Sequence, residues 1–198
     1  MSPYKVIPLT KGQQALVSAS DYDRLIRIGN WCYSNAGYAV HYCTAESGKR
    51  KTLYMHRVIM VQALAKSAPS MQVDHINHNR LDNRRENLRL ATRQQNQANK
   101  AKRCDSRSPY KGVTRNTGKW QARIKYGNQR INLGRFTSPE EAAWVYDAAS
   151  LLLYGPFAGT NFKHCPPPLA FETAVAAVAR YDLGAAPFSR AEVVNRSR

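Results

Sequence analysis

Four polar residues between positions 73 and 96 have the types and spacing needed to cut a phosphodiester bond. Asp74 and His75 are adjacent, Asn87 follows twelve residues later, and Asn96 follows nine residues after that. Carboxylate and amide oxygens bind hard divalent cations, and a cation of this kind stabilises the charge that develops on phosphate oxygens. Histidine titrates near neutrality, which suits a general base acting on water. The segment therefore predicts a metal-assisted hydrolytic site.

Short secondary-structure elements are predicted to position these four residues. A brief extended stretch ends at Asp74, a polar loop rich in Asn and Arg covers 76–86, and alternating leucines from Leu88 indicate a second strand. Thr92 and Gln95 have the spacing of a capping box, in which each side chain hydrogen-bonds the backbone N–H of the other residue. We expect a helix to follow and to carry the last asparagine of the set in its first turn.

The charge of the chain identifies a polyanion as the partner. The 198 residues carry a formal net charge of +17, and the sequence pI is about 10.1. Residues 1–105 contribute a net charge of +10, residues 106–163 contribute +6, and the last 35 contribute +1. Such a field attracts nucleic acid or an anionic membrane surface. Because the sequence shows neither an apolar span of about 20 residues nor a signal peptide, we predict nucleic acid as partner, no membrane association and a cytoplasmic location.

The four cysteines form no Cys-x-x-Cys pair, so the spacing typical of a zinc ribbon is missing from the sequence. Cysteines of cytosolic proteins are usually reduced. We therefore interpret Cys32, Cys43, Cys104 and Cys165 as plain thiols.

A second folding unit is predicted after a polar, basic linker. Runs at 111–114, 120–126 and 129–135 are separated by glycine-containing turns, which is typical of a three-stranded antiparallel meander. Ser138 precedes a proline and two glutamates, a sequence that starts a helix, and Gly155 follows its expected end at about position 154. One helix covers one face of a sheet, so the other face stays open to bind a partner.

Residues 54–100 resemble the HNH (His-metal finger) endonucleases, especially the homing type that phages and introns encode. The resemblance is carried by Asp74-His75, Asn87-Leu88-Arg89 and the downstream Asn96, with Leu53-Tyr54-Met55-His56-Arg57 as lead-in. It implies an N-terminal ββα-metal fold. In that family pattern Asp74 and Asn96 bind the metal, His75 is the general base, and Asn87 pins the loop that orients His75.

Asn96 departs from many of these relatives, which carry histidine at this position. An amide oxygen beside a carboxylate is a hard site, which favours Mg²⁺ or Mn²⁺ over Zn²⁺. We interpret His56 as a packing or hydrogen-bonding residue, His41 and His78 as facing solvent, and His164 as having no visible partner. Arg80, Arg84, Arg85, Arg89 and Arg93 form either a solvated face or, in part, contacts to phosphate.

Residues 109–162 resemble the plant ethylene-response-factor (apetala-type) DNA-binding domain. The matching segments are Tyr110-Lys111-Gly112-Val113, Gly118 to Ile124, Leu133-Gly134-Arg135-Phe136, Glu140 to Ala143, Tyr146 to Ala149 and Asn161-Phe162. The resemblance implies that the sheet enters the major groove. It assigns DNA contacts to Lys111, Arg115, Trp120, Arg123, Lys125, Arg130 and Asn132. Trp120 is equally suited to the core, and Asn132 stands where the plant domains usually carry a second tryptophan.

These observations predict an α+β protein: a ββα-metal nuclease domain, then a three-stranded antiparallel sheet with one helix. We place the nuclease domain at 1–100 (core 54–100), a linker at 101–108, the DNA-binding domain at 109–163 and a tail with a short helix at 164–198. One active site per chain favours a monomeric, nicking, homing-type DNA endonuclease, a phage or prophage product. Two alternatives stay open: a non-catalytic DNA-binding regulator, and an RNA-binding protein, although the sheet lacks the aromatic pairs that stack RNA bases.

Overall fold

The chain folds into two compact units, each with a buried apolar core. The computed structural model describes residues 3–100, 102, 108–181 and 183. One unit comprises Met1–Asn96 and the other Gln97–Arg198. Among the described residues, the first unit contains helices and three small sheets and the second contains helices and one sheet, which confirms the mixed α+β class.

Short strands and helices alternate along the first unit. In chain order they are β1 (Tyr4–Pro8), β2 (Gln14–Ser18), α1 (Ala19–Ile28), β3 (Cys32–Tyr33), β4 (Ala39–Thr44), β5 (Arg50–Tyr54), α2 (Met55–Ile59), α3 (Val61–Ala65), β6 (Gln72–His75), β7 (Asp82–Asn83), β8 (Leu88–Ala91) and α4 (Arg93–Asn99). Short 3₁₀ turns occupy Thr10–Gly12 and Arg85–Asn87.

Three small sheets organise this unit. Strand β2 pairs antiparallel with β1 and parallel with β7, β4 lies between β3 and β5, and β6 pairs antiparallel with β8. The pairing with β2 overturns part of the loop predicted over 76–86, because Leu16 and Val17 lie opposite Asp82 and Asn83. The two polar residues of β7 show no local pattern that would predict a strand. They are extended because they pair with β2, which lies more than 60 residues earlier in the chain.

The apolar core of the first unit fixes the helical segment that precedes the motif. Helix α2 begins at Met55, directly after β5, and the helical run is interrupted at Met60 before α3. Met55 and Ile59 are fully buried together with Leu25 and Trp31. The indole Nε1 of Trp31 donates a hydrogen bond to the backbone carbonyl of Leu25 at 2.9 Å.

The second unit is an antiparallel sheet with helices packed on it. Its elements are β9 (Val113–Asn116), β10 (Lys119–Tyr126), β11 (Gln129–Phe136), α5 (Pro139–Tyr154), a 3₁₀ turn (Gly155–Phe157) and α6 (Pro168–Val178), and β10 is the central strand. Ser138 caps α5: its Oγ accepts hydrogen bonds from the backbone N–H groups of Glu140 and Glu141 at 3.1 and 3.4 Å. The N-cap that the sequence indicated at Ser138 is therefore confirmed.

One face of this sheet is buried and the other is exposed. Ala122, Ile124 and Ile131 are buried in one cluster with the inward face of α5. Arg123 and Lys125 alternate with these residues along β10 and are exposed. Alternation along the strand therefore separates an apolar face from a basic one.

The helix in the C-terminal tail belongs to the core of the second unit. Phe171 and Ala174 of α6 are buried against the cluster that α5 and the sheet form. The hydroxyl of Tyr181, just beyond α6, accepts a hydrogen bond from the backbone N–H of Asn132 at 2.9 Å. Strand β11 lies at the sheet edge, so this contact covers part of an edge that would otherwise present unpaired backbone groups.

Within the part of the chain that the structure describes, no helix is long and apolar enough to span a bilayer. The three cysteines in that part, Cys32, Cys43 and Cys165, are free thiols, and Cys104 lies outside the described residues.

Candidate functional site

The hairpin of β6 and β8 carries the Asp-His pair at its loop end, where β6 ends. Asp74 lies opposite Arg89 and His75 lies opposite Leu88 in the antiparallel register. Asp74 is buried, its Oδ2 accepts a hydrogen bond from Nε of Arg89 at 2.9 Å, and Nη2 of Arg89 lies 2.8 Å from the same oxygen in an ion pair. A buried carboxylate requires a cationic or hydrogen-bonding partner, and Arg89 is that partner for Asp74.

Asn87 closes the loop between the two strands. Its Oδ1 accepts a hydrogen bond from the backbone N–H of Asn77 at 3.0 Å, and its Nδ2 donates to the backbone carbonyl of Asp82 at 2.7 Å. The backbone carbonyl of Asn87 also accepts from the N–H of Ile76 at 3.0 Å. The Asn87 side chain is buried; its bond to Asp82 is buried as well, and the bond from Asn77 is partly exposed. The residue thus ties the two ends of the loop to each other directly after His75.

His75 is buried at the end of β6, in contact with other rings. Its ring centroid lies 5.1 Å from that of His56, in an edge-to-face arrangement, and 6.2 Å from that of Tyr38. Its Nε2 lies 3.3 Å from Oδ1 of Asn83. Burial lowers the pKa of His75 below its ordinary 6.5, although Asn83 and Asp74 act in the opposite direction. The imidazole is therefore neutral at neutral pH, which is the form that can accept a proton.

His56 is the second buried histidine of this cluster. Only 7% of it is exposed, and burial, followed by the neighbouring His75 and Arg57, lowers its pKa to about 3. Its ring also contacts those of Tyr38 and Tyr54, at centroid distances of 5.2 and 5.6 Å. The packing role that the sequence favoured for His56 agrees with this environment.

The first turn of α4 places Asn96 beside β6. Thr92 and Gln95 form the capping box: the N–H of Thr92 donates to Gln95 Oε1 at 2.8 Å, and the N–H of Gln95 donates to Thr92 Oγ1 at 3.2 Å. Asn96 Nδ2 donates to Gln72 Oε1 at 2.8 Å, which turns its own Oδ1 away from Gln72. Gln72 and Asp74 occupy alternate positions of β6 and share one face.

The donor set on this face suits a hard cation. A carboxylate from Asp74 and an amide oxygen from Asn96 are the kind of ligands that Mg²⁺ and Mn²⁺ accept, and neither is a soft donor of the type that selects zinc. Among the described residues, no three His, Cys, Asp or Glu side chains converge on one point. A metal at this position would therefore take few ligands from the chain.

Most arginines around the site bind protein groups. Arg84 pairs with Asp82 at 2.7 Å, and Arg85 forms two 2.7 Å hydrogen bonds with the buried carboxylate of Asp21. Each ion pair raises the pKa of its own arginine, and the hydrogen bonds from Arg84 lower the pKa of Asp82. Arg80 donates to the backbone carbonyl of residue 36 at 2.6 Å and lies over the ring of Tyr38. These side chains hold the loop in place.

In the second unit, four of the seven residues with predicted DNA contacts share one exposed face. Lys125 lies opposite Arg130, and Arg123 lies opposite Asn132, on neighbouring strands. Like charges directly opposite each other destabilise a sheet. Among the described residues no carboxylate forms an ion pair with Arg123, Lys125 or Arg130. This face is therefore a concentrated, uncompensated positive patch.

The other three residues have different surroundings. Trp120 is half-buried against the core, and the guanidinium of the exposed Arg115 lies 5.8 Å from its ring centroid. Lys111 Nζ donates to the backbone carbonyls of Ala98 at 2.6 Å and Gly159 at 3.3 Å, and burial lowers its pKa to about 8. The ammonium of Lys111 is thus engaged within the unit, away from the open face of the sheet.

Several motif residues of the second unit stabilise its fold. The buried carboxylate of Asp147 accepts hydrogen bonds from the backbone N–H groups of Asn161 and Phe162 at 2.8 to 2.9 Å, and burial raises its pKa to about 6. Asn161 Oδ1 then accepts from the N–H of Lys111 at 2.7 Å. Gly112 has φ +73°, and a Cβ there would lie 2.0 Å from the ring of Tyr146. These contacts connect the start of the domain at Gly112 to helix α5 at Tyr146 and Asp147, and connect both to the end of the domain at Asn161.

Sequence reasoning missed two residues of the first site, Asn83 and Gln72, and one contact, that of His56 with His75. Strand alternation was a usable signal for Gln72, which precedes Asp74 by two positions. Asn83 gave no local signal, because its proximity to His75 depends on the pairing of β7 with β2.

Comparison with known proteins defines the class to which this site belongs. Residues 53–98 match the HNH endonuclease family. An HNH endonuclease of Acanthamoeba polyphaga mimivirus is 33% identical over 153 residues, which cover 76% of each chain. The chain belongs to the HNH endonuclease family and is therefore an enzyme, a nuclease that cuts within nucleic acid chains.

The C-terminal region is similar to a second group of proteins. An ethylene-responsive transcription factor of Arabidopsis thaliana is 43% identical over 68 residues, 33% of this chain and 35% of the relative. A dehydration-responsive element-binding protein of Oryza sativa subsp. japonica is 48% identical over 58 residues, 28% of this chain and 18% of the relative. The chain thus spans about a third or less of these plant proteins, and the similarity concerns one region.

Proposed function

We propose that this protein is a metal-dependent, homing-type endonuclease that nicks double-stranded DNA. A nuclease domain over residues 1–100 cuts, and a sheet-based domain over 109–163 selects the DNA. The observation that supports this proposal most directly is the hairpin of β6 and β8, which carries Asp74 and His75 and is joined to Asn96 through Gln72. One such constellation per chain fits a monomer that cuts one strand at a time.

In the proposed mechanism, His75 accepts a proton from the attacking water. Its burial keeps the ring neutral, and contacts with His56 and Tyr38 restrict its orientation. Asn87 keeps the following loop closed, so that the ring stays at the strand end. The expected products are a 5′-phosphate and a 3′-hydroxyl.

Asp74 and Asn96 are proposed to hold the cation in a ββα-metal arrangement. A bound Mg²⁺ or Mn²⁺ would stabilise the charge that develops on the phosphate and on the departing 3′ oxygen. Gln72 turns the Asn96 oxygen away from itself, and Arg89 holds the Asp74 carboxylate in place by an ion pair. Both contacts prepare oxygen ligands before a cation binds, which lowers the cost of ordering the site.

The basic face of the second unit is proposed to dock in the major groove. Arg123, Lys125 and Arg130 with Asn132 supply cations and hydrogen-bonding groups on one surface, and the phosphate backbone compensates the charge repulsion between them. The rice relative is named as a dehydration-responsive element-binding protein, which supports a binding role for this region. Arg115 and Trp120 extend the proposed face, and Lys111 contributes through the fold of the domain. Two DNA contacts on one chain increase affinity through effective concentration.

Nicking of a supercoiled plasmid tests this function. We expect the wild-type chain to convert supercoiled to open-circular plasmid with Mg²⁺ or Mn²⁺ and to stop when the metal is chelated. His75→Ala should abolish nicking while DNA affinity stays within a few-fold. His78→Asn is the matched control, because His78 is exposed in the same loop and asparagine tolerates its φ of +64°.

The outcomes separate the candidate functions. Cleavage that persists in His75→Ala would exclude its role as base. Tight DNA binding without cleavage by the wild-type chain in either metal would favour the alternative of a non-catalytic DNA-binding regulator.

A further inference from the structure

A fully buried amide faces the ring of His75. Asn83 is 0% exposed, and its Oδ1 lies 3.3 Å from Nε2 of His75. We propose that Asn83 is a positioning residue that fixes the tautomer of His75, with the hydrogen on Nε2 and the proton-accepting lone pair on Nδ1. The proposal rests on the function proposed for His75 as the base.

The hydrogen-bonding capacity of an amide sets the direction of this contact. Asn83 Nδ2 donates to the backbone carbonyl of Arg80 at 3.5 Å, so its Oδ1 is the atom turned towards the imidazole. An amide oxygen can only accept a hydrogen bond, so His75 Nε2 must carry the hydrogen. In a neutral imidazole the other nitrogen then holds the lone pair. The base is thereby assigned to Nδ1.

The backbone of Asn83 is held more firmly than an ordinary loop. Asn83 lies opposite Val17 in the parallel pair of β7 and β2, and the N–H of Leu16 donates to the carbonyl of Leu81 at 2.9 Å. Val17 is itself fully buried in the core of the first unit. A side chain on a core strand positions its partner more accurately than one on a mobile loop.

The rings around His75 restrict the remaining freedom of the imidazole. Asn83 contacts one ring nitrogen, and the rings of His56 and Tyr38 pack against the imidazole, with the His56 ring edge-to-face. Rotation of the His75 ring would break the contact with Asn83 and disturb this packing. The amide therefore selects the tautomer, and the aromatic neighbours maintain the ring orientation that allows the contact.

Nuclear magnetic resonance of the full-length chain tests the tautomer without reference to activity. The ring ¹⁵N and ¹³C shifts of His75, assigned by comparison with His75→Ala, report which nitrogen carries the hydrogen. We expect the Nε2–H form at neutral pH in the wild-type protein. A predominant Nδ1–H form would overturn the proposal. The experiment needs only the wild-type protein and His75→Ala, which identifies the signals of the His75 ring.

Two substitutions at position 83 connect the tautomer to catalysis. Asn83→Leu removes the acceptor at similar volume, so we expect the Nε2–H preference to be lost. The single-turnover nicking rate should fall about 100-fold, with DNA affinity unchanged within two-fold. Asn83→Asp keeps an acceptor at the same place and should preserve the tautomer and recover most of the rate. Asn79→Leu is the control, since Asn79 is exposed in the same loop.

The possible results distinguish two kinds of failure. If Asn83→Leu keeps both the tautomer and the rate, or Asn83→Asp loses the tautomer, Asn83 does not position His75. If the wild-type chain shows the Nε2–H form but never nicks DNA, the tautomer assignment stands and the proposed nuclease function fails.

Discussion

Replacing Asn87 by alanine is expected to open the loop after His75 and to slow cleavage strongly. The substitution removes the acceptor for the N–H of Asn77 and the donor to the buried carbonyl of Asp82. A buried polar group left without a partner costs about 1–3 kcal/mol, and a hydrogen bond that water can replace contributes about 0.5–1.5 kcal/mol. We therefore expect Asn87→Ala to lower the free energy of unfolding by about 2–4 kcal/mol.

The catalytic effect follows from the position of the loop. The backbone hydrogen bond from Ile76 to Asn87 remains in the variant, so the hairpin should persist while the loop relaxes. A displacement of about 1 Å at a catalytic group can cost about 100-fold in rate. We expect a decrease of this order in single-turnover nicking at saturating DNA and metal.

Hydrogen exchange distinguishes local opening of the loop after His75 from global unfolding. In Asn87→Ala, peptides covering residues 76–88 should exchange much faster, while peptides from the second unit should not change. Asn79→Ala is the matched control: the Asn79 side chain is exposed, and its Oδ1 accepts from the N–H of Leu81 at 3.0 Å, a bond that water can replace. The reasoning is refuted if Asn87→Ala matches this control in both stability and nicking rate.

Three further predictions concern DNA binding, folding and acid stability. Replacing Arg123 and Arg130 together by alanine should weaken DNA affinity and reduce the slope of log affinity against log salt by up to about 2; an unchanged slope in a fluorescence anisotropy titration would exclude this sheet face as the docking surface. Gly112→Ala should destabilise the second unit by about 2–5 kcal/mol, measurable by urea unfolding, because the Cβ would meet the Tyr146 ring at a positive φ. The pKa of His56 is lowered from 6.5 to about 3, so its stabilising contribution is present above pH 6.5 and is lost as the pH falls. The loss is about 1.4 kcal/mol per pH unit below pH 6.5, and His56→Phe should reduce the slope of stability against pH in urea titrations between pH 6.5 and 5, while the part that His75 contributes remains.

Features that depend on neighbouring residues were predictable from the sequence. The capping box of Thr92 and Gln95 and the N-cap at Ser138 formed as their spacing predicted. In these cases the interacting groups lie within three residues of each other, so the pattern contains the whole interaction. The match of residues 53–98 to the HNH endonucleases follows equally from local motifs.

The tertiary structure decided which side chains the site residues meet. Asn83 reaches His75 because β7 pairs with β2, and Lys111 turns to the carbonyls of Ala98 and Gly159, although the sequence pattern assigned it to DNA. Tyr181 reaches the edge strand from a tail whose sequence suggested only a short helix. Each of these contacts depends on how separate elements pack against one another, which no local spacing in the sequence records.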